Sequence, residues 1–377
     1  MPDVPDRSIT KRAATALATF ATFATFATFA ALAALGIFAV PTTALAQQSE
    51  TVRLAGETVA IYNLAGQVEV RGAQGSDVVV TVRRGGADAE RLSVRTGEAD
   101  TRQKGFGTVN ALRIIYPDET IVYGEGGGNT QIRVRDDGTF FGSGGGGDRV
   151  RIRGSGSGVK AHADLEIAVP AGRAVLVALA VGEVRAENVD GRLYVDVASA
   201  NVHSAAGRGD FTLDTGSGDV TVDGHEGRLV CDTGSGNVSV RDATGSELVF
   251  DTGSGDVTGS GFGGGSLRAD TGSGDVELAA VRSEKIVADT GSGDVTLAFA
   301  AAPADVLVDV GSGDVRLAFP AGYGAEVDVD TGSGDIETEL PVRVTRIDDD
   351  TLRGTIGDGA GRLRIDTGSG DVRLEMP

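Results

Sequence analysis

The hexapeptide Asp-Thr-Gly-Ser-Gly-Asp begins at Asp214, Asp251, Asp270, Asp289, Asp330 and Asp366, with variants at Asp232 (ending in Asn237) and Asp309 (Val310 in place of Thr). Preceded by an apolar pair, as in Val249-Phe250-Asp251-Thr252-Gly253-Ser254, it mimics the signature of an aspartic protease. That chemistry needs two carboxylates sharing one proton, held in a cleft between two lobes. Copies recurring at near-regular intervals form a ladder, not a pair. Gly supplies the backbone angles of a turn, and Asp and Ser supply its hydrogen bonds, so the hexapeptide reads as a structural turn. The nucleophile-elbow pattern Gly-x-Ser-x-Gly also fails, because both glycines touch the Ser. No catalytic residue is assigned.

The ladder still poses an electrostatic question. The leading aspartates (Asp214, Asp232, Asp251, Asp270, Asp289) and the trailing ones (Asp219, Asp256, Asp275, Asp294) should each stack in a column. Like charges ~4.8 Å apart repel in water by roughly 1 kcal/mol per neighbour. Compensation must come from N–H groups of the turns or from bound cations, and these nine aspartates are the candidate Ca²⁺ ligands. Calcium rolls carry Gly-x-Gly-x-Asp in both turns of each coil. Here one turn per coil carries it, and the spacing of an EF-hand is absent. Asx-type bonding within the turn is the competing account, and no other cofactor is implied.

A second charged pattern is basic. Arg133, Arg135, Arg149, Arg151 and Arg153 alternate along two short strand-like pieces, which puts one basic face into an acidic protein. Such a face is either the solvated side of alternating strands or a contact for an anionic polymer. Cys231 falls in an apolar column and reads as a small buried hydrophobe. One Cys and three His (His162, His203, His225) make neither a zinc cluster nor a disulfide framework. The five tyrosines are scattered, so no sugar-stacking platform is visible.

The elements that hold these residues follow from periodicity. Three residues before each leading Asp stand Phe211, Leu229, Leu248, Leu267, Ile286, Val306, Val327 and Leu363. One residue before it stand Leu213, Cys231, Phe250, Ala269, Ala288, Val308, Val329 and Ile365; six after it stand Val220, Val238, Val257, Val276, Val295, Val315, Ile336 and Val372. Alternation by two is the period of a strand with one buried face. Each unit of 18–21 residues therefore reads as strand, Gly-Ser-Gly turn, strand and looser turn. A propeller blade needs about 40 residues, so the pattern predicts an all-β, single-stranded parallel β-solenoid. The last spacing, from Asp330 to Asp366, is nearly two units and predicts one diverged coil. Val195 with Val202, Val177 with Val184, and the stretch from Val59 to Val70 continue the coils towards the N-terminus. Regular coils thus span about 175–377, and residues 84–158 read as irregular Gly-rich early coils carrying a long loop.

Composition bounds the function. Of 377 residues 58 are Gly, and the formal charge of −20 argues against nucleic acid as a partner. Most of the excess acid lies in the regular coils: residues 201–377 carry 13 basic and 32 acidic side chains. At the N-terminus Arg7, Lys11 and Arg12 precede an uncharged stretch from Ala13 to Val40, then Ala44-Leu45-Ala46. This predicts a secretory signal over residues 1–46, cleaved after Ala46, and a solenoid over 47–377. An uncleaved segment of that kind is the single route to a membrane. No Cys lies near the site, so lipidation is excluded.

The order Leu165-Glu166-Ile167-Ala168-Val169-Pro170-Ala171-Gly172, Gly182-Glu183-Val184, Asp190-Gly191-Arg192-Leu193, the repeated Thr-Gly-Ser-Gly-Asp-Val and Gly354-Thr355-Ile356-Gly357-Asp358-Gly359 resembles the bacterial putative-adhesin family of β-strand-repeat proteins. The resemblance covers residues 51–377 and implies a β-solenoid of an exported protein, in a domain family without an assigned biochemical function. It supplies no catalytic residues. The expected protein is an exported, non-enzymatic adhesin or envelope scaffold that presents a repetitive acidic face in the periplasm, at the cell surface or outside the cell. Its partner would be an envelope polymer or protein, and it would be monomeric or assembled end to end. Two rivals stand beside it: a polysaccharide-active β-helix enzyme, which would need a cluster of bases and cations breaking the repeat where Lys occurs only at positions 11, 104, 160 and 285, and a self-assembling structural solenoid joined through its open coil edges.

Overall fold

A computed structural model describes residues 49–117, 119–124, 128–143, 146–348 and 350–376; the expected signal segment lies outside them. The described chain is all-β apart from short 3-10 turns such as Ala89–Arg91. No helix among the described residues is long and apolar enough to cross a membrane. One 22-stranded sheet winds through the coils, and a separate 3-stranded sheet lies outside it.

In the regular part each coil pairs in parallel with the next. Arg173–Glu187 pairs with Asp190–Ser217, which pairs with Val220–Thr233 and so to Val238–Thr252. The registers put Leu213, Cys231, Phe250, Ala269, Ala288 and Val308 in one inward column. Of the apolar positions predicted from the repeat, all but Ile336 are buried. The turn glycines are required by closeness: a Cβ on Gly274 would sit 1.9 Å from the Gly255 carbonyl oxygen of the coil below. The repeated Thr is buried too. Thr252, Thr271 and Thr290 donate from Oγ1 to the carbonyls of Gly236, Gly255 and Gly274, which ties each turn to its neighbour at 2.8–3.0 Å.

At both ends the stacking order departs from chain order. The last strands, Gly361–Thr367 and Val372–Glu375, lie between the coil of Asp305–Val310 and that of Ala325–Thr331: Val308 pairs with Ile365, and Ile365 with Val329. The long final spacing therefore holds no diverged coil. Its residues form the hairpin Val342–Ile347 and Thr351–Ile356, which packs antiparallel on the outer side of Ala325–Thr331. At the other end Thr58–Ala73 is a coil, as its pattern predicts. Its neighbours are Arg173–Glu187 on one side and Thr108–Ile115 with His162–Pro170 on the other.

Residues 84–158 also differ from a set of loose coils. Ser93–Asp100 and Thr108–Ile115 form an antiparallel pair, and Thr120–Val122, Asp148–Arg153 and Asn129–Val134 form the small sheet. Its apolar face (Ile121, Ile132, Val150, Ile152) joins Tyr62, Leu64, Leu176 and Ala178 in a second core on the outside of the coils. Strands covered on both faces read as continuous apolar runs, and the sequence contains them at Val59-Ala60-Ile61-Tyr62 and from Val175 to Val181.

Candidate functional site

The trailing aspartates form a hydrogen-bonded column. The Oδ1 of each accepts the backbone N–H of the equivalent residue in the neighbouring coil: Asp219 from Asn237, Asp256 from Asp275, Asp275 from Asp294 and Asp294 from Asp314, at 2.8–3.0 Å. Asn201 and Asn237 occupy the same column and do the same. The column continues from Asp314 through Asp371 to Asp335, following the spatial order of the coils. Each aspartate rung from Asp219 to Asp371 gains a charge-assisted hydrogen bond that offsets part of the repulsion between neighbours. The donors belong to the adjacent coil and not to the same turn, so the Asx-type expectation is corrected. Sequence reasoning missed the Asn rungs, although Asn237 in the place of Asp was a visible signal that an amide oxygen suffices.

The leading column has no such donors. Burial, then the neighbouring Asp214, pushes the Asp196 carboxyl up to about 7. Burial and then Asp232 push Asp214 up to about 6. Asp232, Asp251 and Asp289 are also raised, burial being the largest cause in each. Arg268 lowers the last two in part and bonds Asp270 at 2.6 Å. The N-terminal end of this column is covered from a distance in sequence: Phe106 packs edge-on against Tyr194 at 5.9 Å, with the Arg192 guanidinium 4.6 Å from the Phe106 ring. Asp196 was outside the predicted ladder because its segment lacks the hexapeptide. No group of three or more His, Cys, Asp or Glu among the described residues is arranged to hold a metal ion.

Of the five alternating arginines, four share a face. Arg133 pairs across the strands with Arg149, and Arg151 and Arg153 follow on the same side beside Gln131 and Asn129. Arg133, Arg149 and Arg151 are exposed and Arg153 partly so. Arg135 departs from them. Its strand ends at Val134, and the side chain turns back to bond Thr139 Oγ1 at 2.7 Å and the Phe141 carbonyl at 2.9 Å. Several arginines elsewhere are paired: Arg228 with Glu247 at 2.6 Å and Asp210 at 3.3 Å and Arg208 with Glu226 at 3.0 Å in the coils, and Arg353 of the terminal hairpin with Asp328 at 2.8 Å. None of the four arginines on the small sheet has a carboxylate partner among the described residues.

The remaining predicted groups are dispersed. Cys231 is fully buried, and burial pushes its thiol up. Burial lowers the His225 imidazole, whose Nε2 lies 3.1 Å from the Arg228 carbonyl. His203 sits 3.2 Å from Glu183, away from His225, and no pair of histidines forms a site.

The architecture is that of a stacked-coil β-fold, and residues 118–375 match the model of the Toastrack domain, DUF4097, a domain of unknown function. The chain belongs to that family, as the ordered motifs of the sequence imply. No curated protein matches it. Among solved structures it is similar to a putative cell adhesion protein from Clostridium sporogenes, at 8% identity over 88% of this chain and 99% of that one, with a TM-score of 0.21. A likeness that loose carries no argument.

Proposed function

We propose that this chain is an exported, non-enzymatic solenoid that adheres to an anionic polymer of the cell envelope through the arginine face of its small sheet. The observation that carries this reading is the contrast in pairing. In a protein with 54 acidic and 34 basic side chains many arginines of the coils find carboxylates, although Arg241, Arg282 and Arg362 do not among the described residues. Four cations gathered on one strand face, with no carboxylate partner among the described residues, point to a partner from outside. Alternate residues of a strand lie about 6.8 Å apart, so Arg149, Arg151 and Arg153 offer a row of charges to an extended chain. The net charge of −20 does not forbid the contact, because fields from the distant coils are screened within about 8 Å at physiological salt.

Export is supported by the basic, apolar and small-residue segments of residues 1–46. A non-enzymatic role is supported by the use of the aspartate columns in stacking: the trailing carboxylates are engaged by backbone donors, and the leading ones form no isolated pair. The test is retention on an immobilised anionic polysaccharide. The wild-type protein should elute with rising salt, and the combined Arg149→Glu, Arg151→Glu and Arg153→Glu variant should run in the void with an unchanged melting temperature. Retention unaltered by the three reversals would sink the reading.

A further inference from the structure

The outermost strand at the C-terminal end of the stack is Val342–Ile347. It pairs with Thr351–Ile356 on one edge, and among the described residues no strand pairs with its other edge. Five of its six residues are exposed, including Val344 at 47% and Ile347 at 68%. An edge that is unpaired and carries apolar side chains is a template for another strand.

The register of this strand has an irregularity that matters. Val342, Arg343 and Val344 stand opposite Ile356, Thr355 and Gly354; the ladder then skips Thr345, and Arg346 and Ile347 stand opposite Arg353 and Leu352. In a regular strand Val344 and Ile347, three residues apart, would point to opposite faces. The bulge at Thr345 brings both to the face of Leu352 and Ile356, which are 2% and 1% exposed. Arg343 and Arg346 then share the other face with Asp348, whose carboxylate Arg346 already bonds at 2.8 Å and which has a second oxygen to offer. An antiparallel mate in which Val344 meets Ile347 therefore also sets Arg343 against Asp348. A two-fold axis repeats both matches.

We propose that this edge joins a second copy of the chain, with the two 342–347 strands antiparallel about a two-fold axis and the sheet continuous across it. The strand is self-complementary in apolar contact and, where Arg343 of one copy joins the Arg346–Asp348 pair of the other, in charge, which is what an isologous interface requires. A contact of one short strand suits a reversible dimer, visible as a function of concentration. The inference rests on strand geometry and not on the arginine face, and its test needs no polymer. If both readings hold, the dimer presents two arginine faces and gains avidity.

Light scattering on the purified protein over a range of concentrations reads the mass directly. The mass should rise towards twice that of the monomer, and the Val344→Lys/Ile347→Lys double variant should stay monomeric with an unchanged melt, since both side chains are exposed. Arg343→Asp and Asp348→Arg should each remain monomeric alone, through like charges facing across the axis, yet form a 1:1 dimer when mixed. A monomer at every concentration overturns the proposal. So does a dimer indifferent to the two lysines, which would place the contact elsewhere, or a mixture that fails to associate, which would exclude the register.

Discussion

The two aspartates of each Asp-Thr-Gly-Ser-Gly-Asp turn are the same residue, five positions apart, stacked at the same coil spacing, and their environments are opposite. The trailing carboxylates from Asp219 to Asp371 each accept a backbone N–H from the adjacent coil at 2.8–3.0 Å. The leading ones stack without such donors, and at the covered end Asp196 and Asp214 are pushed up to about 7 and about 6. A column of like charges is thus tolerated where the fold supplies one donor per rung. Where it supplies none, the charge is destabilised in proportion to burial.

That contrast can be broken most severely at the glycines between the columns. Gly274→Ala would place a Cβ 1.9 Å from the Gly255 carbonyl oxygen and 2.9 Å from Asp256 Oδ1, so the turn cannot keep its distance from the coil below. A loss of about 3 kcal/mol is expected in chemical denaturation. A loss below about 1 kcal/mol would show that the turns do not need this closeness.

A smaller effect, with a definite sign, belongs to the leading column. The folded value of Asp196, about 7, lies above its ordinary 3.8, so the unfolded chain ionises first. Stability therefore falls as pH rises from about 4 to about 7 and levels off beyond. Asp196→Asn should remove this loss, adding about 2 kcal/mol at pH 8 and nothing near pH 4. Equal stability of the two proteins at both pH values would contradict the raised carboxyl.

The smallest effects concern the trailing column. Asp275→Ala leaves the Asp294 N–H without its acceptor and should cost about 1 kcal/mol. Asp275→Asn should be close to neutral, because Asn201 and Asn237 already serve as rungs. If backbone donors hold the column, the wild-type melt is unchanged in EDTA. A fall of several degrees would assign the compensation to bound cations.

Much of this was legible in the residues. The inward columns, the Gly-Ser-Gly turn and the family follow from a period that repeats at every coil, and a local pattern repeated many times is hard to misread. The final coils were not legible in order. Residues 325–338 and 361–375 carry the same turn motif, so either satisfies the coil of Asp305–Val310, and it is the second that sits there. The alternation of Arg133 and Arg135 suggested one face, but the strand ends between them at Val134. The apolar runs around Tyr62 and Leu176 signalled burial on both faces, though not which segment would cover them.

The sequence by itself determined the unit: alternating apolar residues choose a strand's buried face, and glycine and aspartate in the turn set how closely units can stack. Only the tertiary structure decided which unit lies beside which, which coils are covered from outside, and hence which carboxylates are pushed up and which arginines have no carboxylate partner among the described residues. Those outcomes depend on contacts between segments far apart in the chain, and a short-period pattern contains no information about such distances.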